Sequence, residues 1–160
     1  MIIIDHRRLL PPLALALTLA ASAAVAAPAA PADLVRDVYQ RLIAANQTGE
    51  GYDPGDALYS PRLRALEAAA RKRAGTDVPC GLDFDIWFDG QEYDLKSADV
   101  ATAPGATADA QVVVARFESL RQPHELHYTF RRIAGRWRLD EAESVVGTRW
   151  VFSKLLRCEG

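Results

Sequence analysis

From Leu34 onward the apolar positions Leu34, Val35, Val38, Leu42 and Ile43 recur at three- and four-residue spacing, with Arg36, Asp37, Gln40 and Arg41 between them. That spacing predicts an amphipathic helix, capped by Asp33 and stopped before Gly49 and Gly51. Ser60 followed by Pro61 is a cap with proline at the first helical position. Leu63, Leu66 and Ala70 then mark one face of a second helix, over Pro61 to Ala74 and ending at Gly75. The stretch Gly55 to Tyr59 adds a turn of helix before it.

The period then changes from helical to strand-like. Leu82, Phe84, Ile86 and Phe88 alternate with Asp83, Asp85, Trp87 and Asp89, which predicts a short strand or extended segment with one oily and one acidic face. After a turn near Gly90 come four strands, Leu95 to Ala103, Ala110 to Leu120, Glu125 to Ile133 and Arg136 to Ser144. They are punctuated by Pro104-Gly105, Gln122-Pro123 and Ala134-Gly135, the last gap being tight enough for a hairpin. Trp150 to Arg157 closes the chain as a short helix docking near Cys80. Helices followed by antiparallel strands predict an α+β fold, with N-terminal helices packed on a curved antiparallel sheet.

The N-terminus carries a different pattern. His6, Arg7 and Arg8 precede an uncharged run from Leu9 to Ala27, and Ala24 and Ala26 supply small residues at the positions a signal peptidase reads. The expectation is a signal peptide over 1–26, an exposed spacer over 27–32 and a single domain over 33–160. The rival reading, an uncleaved anchor, is disfavoured by Pro11, Pro12 and the Ala-rich end of the run. No cysteine follows the run to make a lipoprotein site, and no later segment is apolar enough to span a membrane. The domain is thus expected in the periplasm or the medium.

Cleavage leaves about 134 residues, enough for one domain with a real core. The formal charge of −2 becomes −3 once one acid and two bases leave with the leader, the wrong balance for a nucleic-acid partner. Lysine occurs only at Lys72, Lys96 and Lys154, a mark of base composition rather than of function. Two cysteines in an oxidising compartment favour a Cys80–Cys158 disulfide over a metal site or a catalytic thiol. On the chain-entropy model such a loop stabilises by about 4.5 kcal/mol at most.

No motif for catalysis, metal or cofactor rises from the spacing. The carboxylates Asp83, Asp85, Asp89, Glu92 and Asp94 fail the calcium-loop register from either start, and the simpler reading makes Asp83 and Asp89 a solvated strand face. His124 and His127 are three apart on a strand, so they point to opposite faces and do not form a zinc helix; His127 alone stays open as a pH-responsive group. Arg131, Arg132, Arg136 and Arg138 crowd the last hairpin, where cross-strand pairing with Glu125, Glu141 and Glu143 is the plain explanation and an anion dock the sharper one. There is no nucleophile elbow and no Gly-rich phosphate loop.

The order helix, helix, Leu-x-Phe-Asp segment ending in Gly-Gln-Glu, then strands ending in Gly-Arg-Trp-Arg-Leu-Asp-Glu resembles the nuclear transport factor 2-like superfamily. Within it the chain is similar to exported bacterial proteins of the DUF3828 type, whose function is unknown. Tyr59, Ser60, Leu82, Asp85, Gln91 with Glu92, Gly135, Trp137, Leu139 and Asp140 carry the likeness, over Asp33 to Arg157. Ile86 and Glu92 stand where the family tends to have Pro and Asp, which marks a divergent member. The resemblance implies a cone-shaped sheet with a cavity, and Tyr59, Asp85, Gln91 and Tyr128 as its ligand-pocket candidates.

The expected function is an exported, non-enzymatic binding or accessory domain that holds a small ligand or an envelope partner. One alternative is a cofactor-independent isomerase, dehydratase or hydrolase, with Asp85 or His127 as base and Tyr59 or Tyr128 as hydrogen-bond donor. Another is an envelope assembly or inhibitor protein acting by protein contact alone. Fold cannot decide among them.

Overall fold

A computed structural model describes residues 28–159. The expected signal peptide over 1–26 lies outside the described residues. Two helices, α1 (Pro31–Thr48) and α2 (Pro61–Ala74), precede a five-stranded antiparallel meander: β1 (Ala98–Thr102), β2 (Ala110–Ser119), β3 (Gln122–Ile133), β4 (Arg136–Ser144) and β5 (Trp150–Val151). The four-residue helix α3 (Phe152–Leu155) follows. The class is α+β. Among the described residues no helix is long and apolar enough to cross a membrane.

Helix α1 begins earlier than its polar signal suggested. Pro31 sits in the first turn, where its missing N–H costs nothing, and Ala30 is the N-cap with no side-chain bond. Asp33 is therefore not the cap but a first-turn acid, paired with Arg36 at 2.6 Å. Pro31 and Ala32, expected in an exposed spacer, are helical and buried. Helix α2 starts as expected: the Ser60 hydroxyl accepts the Leu63 N–H at 3.1 Å, and Pro61 opens the helix. The turn of helix expected over Gly55 to Tyr59 is instead a run of turns.

Strand β1 starts at Ala98, not Leu95, although Leu95 is fully buried. Gln122-Pro123 does not break the sheet but begins β3, where Pro123 lies opposite Glu118. The turn falls two residues earlier, at Leu120 and Arg121, with φ of 51° and 63°. Both are left-handed, as a two-residue hairpin that follows the twist of its strands requires. The β3–β4 hairpin at Ala134 and Gly135 has the same geometry.

The core gathers Val35, Val38, Tyr39 and Leu42 of α1 with Val113, Ala115 and Phe117 of β2, Leu126, Tyr128 and Phe130 of β3, and Leu139 and Ala142 of β4. Each Val, Leu or Phe among them contributes about 1.5–3 kcal/mol when removed from water. In β4 the inward residues Leu139 and Ala142 are three apart, which strict alternation forbids. The register shift between Thr129 and Phe130 resolves this: Thr129 pairs with Glu141 and Phe130 with Leu139, leaving Asp140 as the extra residue of a bulge. The bulge turns the Asp140 carboxylate to the start of α2.

The segment expected as a strand is not one. Ile86, Trp87 and Phe88 are buried in succession, and Asp85 pairs with Gly90 in an isolated bridge that closes a tight turn. The alternation of the sequence is not realised as a strand, because among the described residues no strand pairs with this segment. Its hydrogen bonds are local: Asp85 N–H to Gly90 O and Asp89 N–H to Asp85 O, both 2.9 Å. A Cβ at Gly90 would stand 3.1 Å from the Glu92 carbonyl, so a side chain there would have to push that carbonyl aside by a few tenths of an ångström. Cys80 and Cys158 form a disulfide with Cα atoms 5.2 Å apart, tying the approach to this turn to the chain's last described residues.

Candidate functional site

The turn at Asp85 forms the floor of a cleft of about 540 Å³. One wall is helix α2, which presents Arg64, Glu67, Ala68 and Arg71 at helical spacing. The other is the loop carrying Asp53, Gly55 and Asp56, with Tyr59 and Phe152 behind. Leu82, Phe84, Ile86 and Trp87 give the floor an apolar character. The volume lies in the range of small-molecule sites.

Asp85 is held by its own turn. Its carboxylate accepts the Trp87 backbone N–H at 2.6 Å, the local bond by which an aspartate fixes a bend. Burial pushes its carboxyl up to about 6 against the lowering effect of that bond, and the charge of Asp53 adds to the rise. Tyr59 is 6% exposed, packs edge-on against Phe152 at 5.9 Å and lines the same cleft. Its hydroxyl is raised well above the usual phenol range, first by burial and then by the negative charges of Glu67, Asp85, Asp53 and Asp56. That hydroxyl makes no hydrogen bond among the described residues, and among them no fully buried side-chain N or O lacks a partner. The Tyr59 oxygen therefore opens into the cleft.

Tyr59 is placed by strand pairing. It bridges Leu139, with Leu139 N–H to Leu58 O and Ser60 N–H to Leu139 O, both 2.7 Å. The Ser60 hydroxyl donates to Asp140 at 2.6 Å, and Arg62 and Arg131 also reach that carboxylate, at 3.1 and 3.2 Å. Burial would raise Asp140, but the Ser60 hydroxyl and Arg62 outweigh it and hold the group below the usual carboxylate range. The start of α2, and with it Tyr59, is thereby pinned to the sheet.

Of the four ligand-pocket candidates, Tyr59 and Asp85 meet in this cleft. Gln91 does not line this cleft but an adjoining hollow that shares Asp53, Leu82, Phe84 and Asp85 with it, and its amide donates to Asp83 at 2.8 Å. Tyr128 is fully buried behind the floor: its ring stacks on Trp87 at 4.7 Å, and its hydroxyl meets that of Tyr39 at 2.9 Å and lies 3.3 Å from the Ile86 carbonyl. It is a support for the floor and not part of the lining. Arg64, Glu67 and Arg71 were legible only as an i, i+3, i+7 polar face of α2, a pattern shared by any solvated helix.

Asp89, expected on a solvated face, is largely covered and accepts from Trp150 Nε1 at 2.6 Å and from the Ser144 hydroxyl at 3.0 Å, with His124 at 3.4 Å. It joins the turn to β3, β4 and β5. His127 sits on the opposite face of β3 from Tyr128 and lies 2.8 Å from Glu125 and 3.6 Å from Glu143, so it does not reach the cleft. The hairpin arginines do not pair with Glu125, Glu141 and Glu143. Arg131 bonds Asp140, Arg138 donates to the Ala57 carbonyl at 2.9 Å and Arg132 lies over the Trp137 ring, while Glu125 takes Arg116 and Glu141 takes Arg62. Among the described residues no three His, Cys, Asp or Glu side chains gather to hold a metal ion.

In comparisons with known proteins, no family model, no curated protein and no solved structure matches this chain.

Proposed function

We propose that the chain is an exported binding domain of the nuclear transport factor 2-like kind, of the DUF3828 type, whose cleft between α2 and the Asp85 turn holds a small ligand. The convergence of a largely buried carboxyl and an unpartnered hydroxyl on an apolar floor carries this reading. A few polar groups aimed into an apolar concavity are what small-ligand sites share. The helix, helix, meander order and the residues Tyr59, Ser60, Leu139 and Asp140, which meet at one junction, support the family assignment. The disulfide supports export to the periplasm or the medium.

The second reading is a cofactor-independent isomerase, dehydratase or hydrolase with Asp85 as general base and Tyr59 as hydrogen-bond donor. It is favoured by one observation, a carboxyl raised to about 6 beside a cleft.

Native mass spectrometry of the protein recovered without denaturation tests the binding reading. A small molecule should accompany the wild type and be absent from Ala68→Trp, which places an indole in the cleft from an exposed helix position. A ligand retained by Ala68→Trp, or none in either protein, counts against it.

A further inference from the structure

Among the described residues Asp53, Asp56, Glu67 and Asp85 face the cleft against only Arg64 and Arg71, and Arg71 is already held by Glu67 at 2.6 Å. Three carboxylates then stand against one guanidinium. All four carboxylates act on the Tyr59 hydroxyl, which places their field at one point of the cleft. Tyr59 is 6% exposed with its oxygen unpartnered among the described residues, so its lone pairs are free to accept from a bound donor at the point where the carboxylates favour a positive charge.

We infer that the cleft takes an organic cation, an ammonium group on a short apolar body, whose N–H groups donate to the Asp85 carboxylate and the Tyr59 oxygen. The apolar body lies on Ile86, Trp87 and Phe152. A bare metal ion fits worse, because among the described residues no three His, Cys, Asp or Glu side chains gather to hold one. An anion would meet the excess of carboxylates. The volume of about 540 Å³ also exceeds what a hydrated ion needs and lies within the range for small organic ligands. The cation also offsets the cost of keeping Asp85 ionised in a desolvated position.

This inference rests on the binding reading above, and its test separates the two. Calorimetric titration of the intact protein near pH 7.5 would use three probes sharing one apolar body: 2-phenylethylamine, 2-phenylethanol and 3-phenylpropanoate. The amine is expected to bind at least about tenfold more tightly than the alcohol, with the carboxylate weakest. Asp85→Asn keeps an oxygen to accept the Trp87 N–H and should lose at least about tenfold in amine affinity while alcohol binding stays unchanged. Tyr59→Phe, which keeps the ring, should lose affinity for the amine without change in melting temperature and serves if Asp85→Asn does not fold. Alcohol or carboxylate binding as tightly as the amine, or amine binding indifferent to both substitutions, overturns the cation assignment and leaves the binding reading standing. No probe binding at all overturns both.

Discussion

The Ser60 hydroxyl donates to the Asp140 carboxylate at 2.6 Å while accepting the Leu63 N–H, so one side chain caps α2 and fastens it to the bulge of β4. Ser60 is fully buried. Ser60→Ala is expected to cost about 1–3 kcal/mol, a lost cap together with a lost charge-assisted bond. Because Asp140→Ala removes the same bond, the double variant should be less destabilised than the sum of the singles by about 1 kcal/mol or more in urea unfolding. Additive losses would show that the two residues act separately.

Asp85 makes opposite predictions for two substitutions. Asp85→Ala removes the acceptor of the Trp87 N–H and should lower stability by about 1–3 kcal/mol. Asp85→Asn keeps an acceptor and relieves a desolvated charge, so near pH 7.5 it should melt at or above the wild-type temperature. Equal losses in the two variants would contradict the local role of the carboxylate.

The same residue sets a pH dependence. Its folded carboxyl is raised to about 6, above the unfolded value near 3.9, so the native state holds this proton more tightly. The stabilisation is complete below about pH 4 and is lost as pH rises through about 6, a span of about 3 kcal/mol at most. Asp53, Asp56 and Glu67 face Asp85 from the loop and α2, with Arg64 and Arg71 as the opposing cations. Asp140 and Glu125, both held low, act in the reverse direction at more acid pH, where protonating them removes their ion pairs. The test is the difference in stability between wild type and Asp85→Asn across pH 4 to 8, which should change in favour of the variant as pH rises. A difference constant with pH would refute the raised carboxyl.

Helix α1, helix α2 and the paired parts of β2 to β4 were legible because their apolar periods, 3.6 and 2, are those of their burial. The Asp85 turn was not. Leu82, Phe84, Ile86 and Phe88 alternate like a strand, yet Trp87, on the polar side of that pattern, is among the largest buried side chains. Tertiary packing against Tyr128 outweighed the local pattern. Leu120 and Arg121 gave no turn signal since neither is Gly or Asn, and Gln122-Pro123 drew the boundary two residues late. At the site, the family resemblance marked Tyr59 and Asp85, whereas the acids and bases of α2 and the 53–56 loop acquire meaning only when the fold sets them around one hydroxyl. Tyr128 stands behind the floor for a related reason: an aromatic with a polar tip suits a pocket lining and a buried floor support equally well.

Cys80 and Cys158 enclose all five strands of the sheet, and their bond should withstand denaturation. Non-reduced protein unfolded in guanidinium should present no thiol to an alkylating reagent. Replacing both cysteines by Ser is expected to cost about 2–4 kcal/mol in denaturant unfolding. Two reactive thiols before reduction would remove the disulfide from the account.

The central claim, that the cleft beside Asp85 is where this protein meets a ligand, is tested most directly by mapping backbone amide shifts as 2-phenylethylamine is added. The account predicts saturable shifts concentrated at Tyr59, Arg64, Glu67, Ile86 and Trp87, abolished in Ala68→Trp. Shifts centred instead on the outer sheet face at Val112, His127 and Thr129, or on the hairpin tip from Arg132 to Arg136, would contradict it.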